Sequence, residues 1–93
     1  MRSSLVVKHS IVIDGQRTSI SLEYAFWSTL KDIAHERRET LSNLVTSINA
    51  NREFANLSSA IRLFILEFYK ERVARLEQRE MPTQRRKQRA GSA

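Results

Sequence analysis

From Arg17 to Glu23 the chain alternates, with Ile20 and Leu22 apolar and Arg17, Ser19 and Ser21 polar. An extended backbone sends the apolar pair to one face and the polar residues to the other, as in a sheet with one buried and one open face. Upstream, residues 5–13 are rich in β-branched side chains and read as a first strand. Asp14-Gly15 between the two strands favours a two-residue turn, because both central positions tolerate positive φ. The pattern therefore predicts a hairpin of roughly 8–13 against 17–22.

At Glu23 the period changes from two to that of a helix. Phe26, Leu30, Ile33, Ala34 and Arg37 share a stripe with Trp27 beside it, which predicts a helix over 24–37. Glu23 stands where a carboxylate complements the helix dipole. Trp27, among core-forming neighbours, is expected in the core or a dimer interface rather than as a platform for stacked bases. A polar break at Arg38-Glu39-Thr40 ends this helix. Thr40 is a good N-cap for a second helix over 41–51, with Leu41, Leu44, Val45 and Ile48 as its apolar stripe. Asn56 is the next cap candidate and opens a third helix, 57–80, closed by Pro82.

The third helix differs from the others. Leu57, Ile61, Phe64, Ile65 and Phe68 form one stripe, but Leu63 and Leu66 fall outside it. A helix apolar on most sides is buried on most sides, and in a chain this short that burial calls for a second copy. The expected core of such a dimer is Ile20, Leu22, Phe26, Leu30, Ile61, Phe64, Ile65 and Phe68. Further along, Glu67–Glu71 is an unfavourable i,i+4 pair and Glu71–Arg75 a favourable one.

Composition narrows the function. The 93 residues make one small domain, 1–81, followed by a polar tail, 82–93, expected to be disordered and carrying Arg85, Arg86, Lys87 and Arg89 without an acid. Without cysteine there is no disulfide framework and no thiolate metal site. No apolar run approaches the ~18 residues that span a bilayer, and residues 1–8 are too short for a signal peptide, so the default location is cytoplasmic. A net charge of +6 favours an anionic partner such as nucleic acid, although the same charge also serves solubility. His9 and His35 have no nucleophile or metal partner at a telling spacing, and the two glycines, Gly15 and Gly91, make no phosphate-cradling loop. An enzyme is not expected, and neither is a cofactor.

The polar strand running straight into helices resembles the ribbon-helix-helix family of DNA-binding proteins. In that family a basic residue is followed by Ser or Thr alternating with aliphatics, as Arg17, Ser19, Ile20, Ser21 and Leu22 are here. The stretches at 16–23 and 56–62 resemble a bacterial subgroup with a longer C-terminal half. Two segments compete for the family's second helix: 40–45, which follows the first helix directly, and 57–62 with Tyr69, which is closer in residue type. A glycine often stands in the family's turn where this chain has Arg38.

The resemblance implies a mostly α fold with a short N-terminal β ribbon and an additional C-terminal helix, as an intertwined homodimer. It implies a regulator of transcription, a repressor by family habit, associated with the nucleoid when bound. Two copies of 17–22 would pair across a two-fold axis and enter the major groove. There Arg17, Ser19 and Ser21 would meet base edges, and Thr40, Leu41 and Ser42 (or Ser58 and Ser59) would hold a phosphate. Lys8 and His9 are further phosphate candidates, and the tail cations Arg85, Arg86, Lys87 and Arg89 can add non-specific contacts. Higher oligomers on DNA remain compatible with this pattern. The competing readings are an antitoxin-like module that offers its C-terminal helix to a protein, and a sequence-blind architectural DNA binder that relies on the tail.

Overall fold

A computed structural model describes residues 4–53 and 56–80, with only the backbone at 79 and 80. The tail cations Arg85, Arg86, Lys87 and Arg89 lie outside these described residues, as does Pro82. Two strands, β1 (Val6–Ile13) and β2 (Gln16–Glu23), form an antiparallel hairpin, followed by helices α1 (Tyr24–Glu36), α2 (Leu41–Ala50) and α3 (Leu57–Glu80). The turn between the strands is Asp14-Gly15, both with positive φ (52° and 78°), which matches the right-handed twist of the flanking strands. A two-stranded ribbon thus exists within one chain, whereas the family resemblance assembles one from two copies of residues 17–22.

One face of the hairpin rests on the three helices. Ile11, Ile13, Ile20 and Leu22 from the ribbon meet Leu30, Ile33 and Ala34 of α1, Leu44, Val45 and Ile48 of α2, and Ala60, Ile61 and Ile65 of α3. Phe26, Phe64 and Phe68 pack against this core half-buried, so the residues expected to make a dimer core are packed inside a single chain. What a single chain leaves uncovered is the far side of α3, where Leu63, Leu66, Val73 and Leu76 are each about half exposed. Along that helix Lys70 and Arg75 reach their acidic neighbours, Glu67 and Glu71, only at 3.9 Å. Exposed pairs of this kind contribute little.

The helix ends are set by local chemistry. Thr40 caps α2, its hydroxyl accepting from the N–H of Asn43 at 3.0 Å, and the Asn56 side chain caps α3 by accepting from the N–H of Ser59 at 2.8 Å. At the end of α1 the N–H of Glu39 donates to the carbonyl of Ala34 and that of Arg38 to the carbonyl of His35, at 3.0 and 3.1 Å. This double closure requires a left-handed residue after the cap, and Arg38 adopts it with φ of 58°. Arg38 thus takes the left-handed conformation that glycine adopts most readily. A side chain in that region costs about 1–2 kcal/mol, partly offset by the lower unfolded-state entropy of a non-glycine residue. Arg38→Gly is expected to stabilise the fold by roughly 0.5–1 kcal/mol, read as a higher urea midpoint at unchanged slope. A lower midpoint would mean that the Arg38 side chain makes a compensating contact.

Candidate nucleic-acid interface

The register Lys8↔Ser21, Ser10↔Ser19 and Val12↔Arg17 places these six side chains on one face of the hairpin, and all six are exposed. Within the ribbon this face carries two cations, Lys8 and Arg17, and its one acid is Glu23 at the end of β2. Glu23 is itself engaged, since Arg62 of α3 reaches its Oε1 through Nε at 3.0 Å and through a second guanidinium nitrogen at 2.9 Å. A backbone hydrogen bond and then the Arg62 contact hold the Glu23 carboxyl below its ordinary range. The open face therefore presents hydroxyls and positive charge, with its single carboxylate ion-paired.

The structure brings Arg17, Ser19 and Ser21 together on this face and adds three residues from β1. The sequence marks Lys8 as a phosphate candidate, and the strand register sets Ser10 and Val12 beside it. The signal was available: in a two-residue hairpin closed at Asp14-Gly15, position i pairs with 29 − i, which puts 8, 10 and 12 opposite 21, 19 and 17. His9, the other phosphate candidate of that strand, is on the opposite face. Its ring stacks on Trp27 with centroids 3.8 Å apart and planes 9° from parallel. Trp27 is accordingly half-buried against the core, at the edge of a groove that it lines together with Ser10, Val12 and Arg17.

Both competing helix starts flank the ribbon. Thr40, Leu41 and Ser42 share a shallow groove with Ser10, Val12 and Arg17. The α2 cap takes the N–H of Asn43 and leaves those of Leu41 and Ser42 without an intrahelical partner. On the other side Asn56, Leu57, Ser58 and Arg62 line a groove with Ser19 and Ser21. Here the Ser58 hydroxyl donates to the backbone carbonyl of Ser21 at 2.7 Å, and the N–H of Ser59 is taken by Asn56. The α3 start thus ties down the outer edge of β2.

His9 reports on the underside of this ribbon. Its Nε2 is buried and has no hydrogen-bond partner among the described residues. Burial, and then the positive charge of Lys31, push its pKa below the ordinary value near 6.5. The folded state thus resists a proton that the unfolded chain accepts. The stabilisation is complete above about 6.5 and is lost as pH falls from there through the lowered folded value. Wild type is expected to lose stability between pH 7.5 and 5.5 in urea titrations, and His9→Phe, which keeps a ring on Trp27, to lose less. Equal losses would place the acid-sensitive group elsewhere.

A two-stranded ribbon with an open polar face, mounted on three helices, defines a ribbon-and-helix protein. The family model for the ribbon-helix-helix domain matches residues 6–69, and the chain belongs to the ribbon-helix-helix family. The match runs through both α2 and the first half of α3. Among solved structures the chain is similar to an uncharacterised protein of Bordetella pertussis Tohama I, at 27% identity and a TM-score of 0.66. That likeness covers 78% of this chain, and the chain spans 62% of the length of the Bordetella protein. No curated protein matches the chain. Members of this family are in general DNA-binding transcription regulators or antitoxins and are not enzymes. No helix among the described residues is long and apolar enough to cross a membrane.

Proposed function

We propose that this chain is a sequence-specific DNA-binding transcriptional regulator, acting as a homodimer that lays its β ribbon in the major groove. The observation that carries this reading is the exposed face of Lys8, Ser10, Arg17, Ser19 and Ser21, free of any unpaired acid. Arg17 presents two donors to guanine O6 and N7, and the serine hydroxyls donate or accept at either base edge. Leu41 and Ser42, or Leu57 and Ser58, offer backbone N–H groups to phosphates and so set the ribbon's register on the duplex.

The homodimer draws its support from α3. Leu66, Val73 and Leu76 are exposed along α3, and with the half-buried Tyr69 they recur at spacings of three, four and three, the a/d spacing that a short helix pair would use as its seam. Two copies related by a two-fold axis would then bind a palindromic or repeated half-site. The same seam favours a second reading, in which α3 receives a partner protein and DNA binding is secondary.

Fluorescence anisotropy across a salt series, paired with solution mass, tests both readings. The regulator binds mixed-sequence duplex with an affinity that falls steeply with salt, as a dimer whose mass drops on Val73→Glu. Absence of binding at low salt by a dimer of normal mass would overturn the DNA reading in favour of the protein partner. A monomer that still binds would overturn the dimer alone.

A further inference from the structure

We propose that Arg62 is a positioning residue of the DNA-binding face: by holding Glu23, it keeps the one carboxylate of that face away from Lys8 and from the phosphates. This rests on the DNA-binding function proposed above and adds to it a residue of α3, 39 positions from its partner.

The first argument is where Glu23 stands. It follows Arg17, Ser19 and Ser21 at the period of two that puts them on one face of the ribbon. The register sets Glu23 opposite Val6 and Lys8 opposite Ser21, so Lys8 and Glu23 are diagonal neighbours on that face. Diagonal positions lie about 7–8 Å apart, within reach of two long side chains. Glu23 is also the residue before α1, where a carboxylate complements the helix dipole, although its side chain accepts no cap hydrogen bond. An acid that suits the helix is thus a liability to the face. Unheld, it would neutralise Lys8 or repel a phosphate.

The second argument is how Glu23 is held. Arg62 reaches its Oε1 through Nε at 3.0 Å and through a second guanidinium nitrogen at 2.9 Å. The guanidinium carbon lies 5.8 Å from the centre of the Phe26 ring, a cation–π contact that steadies the fork. The two side chains are only 35% and 28% exposed, so salt screens this pair less than one on the open surface. Lys8, by contrast, is exposed and makes no ion pair among the described residues. Arg62 takes up the acid and leaves Lys8 available.

Two other roles fit the same contact. The pair could serve only to fasten α3 to β2, beside the Ser58–Ser21 hydrogen bond, or Arg62 could itself meet a phosphate from the groove it shares with Ser19 and Ser21. Rescue separates the three. Anisotropy on a mixed-sequence duplex across a salt series would compare full-length wild type, Arg62→Met, Glu23→Gln and the double variant, with a urea midpoint for each. Arg62→Met, which keeps an unbranched stem on Phe26, is expected to bind about two- to thirtyfold more weakly at low salt, the Coulomb range for one uncompensated charge about 8 Å from a phosphate. Adding Glu23→Gln should restore most of that loss, and Glu23→Gln alone should bind at least as tightly as wild type. If Arg62→Met does not fold, the double variant, which leaves no charge unpaired, decides alone: affinity near wild type supports the proposal and a clear loss overturns it.

The proposal is also overturned if Arg62→Met binds as tightly as wild type, or if the double variant stays as weak as Arg62→Met. In the second case a salt slope lower by about one makes Arg62 a phosphate contact, and a lowered urea midpoint at unchanged salt slope makes the pair structural. Weaker binding by Glu23→Gln alone overturns it as well, since Glu23 would then be a base contact that accepts from cytosine N4. Each of these results leaves the DNA-binding function standing. Failure of the wild type to bind at low salt would bring down that function and this role with it.

Discussion

Replacing Arg17 with alanine is expected to weaken binding to the preferred duplex by about 5- to 140-fold, the worth of a bidentate contact at about 1–3 kcal/mol. The loss should be sequence-dependent. Arg17 stands exposed on the open face across from Val12, in a groove shared with Thr40, Leu41 and Ser42. Under the proposed DNA-binding function its guanidinium would meet a base edge while the adjacent helix start met the backbone. A reader of guanine, once removed, leaves phosphate contacts in place, so affinity for an unrelated duplex should change far less and the salt dependence only slightly. Anisotropy on the selected duplex and on one with the guanine exchanged gives the answer directly. If Arg17→Ala weakens both duplexes equally and lowers the salt slope by about one, Arg17 is a phosphate contact. The polar face would then be generic, in line with a sequence-blind binder.

The other large effect lies one residue beneath the same face. Leu22 is fully buried, and it alternates with exposed Ser21 and half-buried Glu23, so its side chain seats β2 on the helices. Leu22→Ala removes that seat and leaves a cavity among Leu30, Ile61 and their neighbours. Substitutions of this type cost about 2–5 kcal/mol. Small domains have total stabilities at the low end of about 5–15 kcal/mol, so the variant should be partly unfolded at 37 °C. The urea midpoint should drop at unchanged slope, and DNA affinity should drop with it, because a strand that slips by one residue turns Ser19 and Ser21 inward. Ser19→Ala, on the opposite face of the same strand, should leave the midpoint unchanged. A loss below about 1 kcal/mol for Leu22→Ala would contradict the close-packed core described above.

Much of this architecture was legible in local pattern. Alternation at 17–22, the Asp14-Gly15 pair, and the capping residues Thr40 and Asn56 each act over a few residues, and each element follows from them. The polar face of β2 was legible for the same reason, since a period of two decides which side chains share a face. The turn alone also sets the register of Val12 and Ser10 with Arg17 and Ser19, so their place on that face follows from local chemistry as well. The positive φ of Arg38 was not legible. A non-glycine residue carries no local sign that the double closure of α1 onto Ala34 and His35 will force it into the left-handed region.

Other features depend on groups far apart in the chain. The residue pattern made α3 apolar on two sides, and only the packing decided that Ile61 and Ile65 face this chain's core while Leu66 and Val73 face outward. Where the two helix starts lie was likewise a matter of three dimensions: one flanks β1 and the other β2. The contact between Ser58 and Ser21 spans 37 positions and the one between Arg62 and Glu23 spans 39. By itself, then, the sequence determined the elements, their faces and the hairpin register, since these follow from periodicity and turn chemistry within one or two turns of chain. Only the tertiary structure decided what each face and edge meets. That depends on how separately formed elements bury their apolar surfaces together, and no local period encodes it.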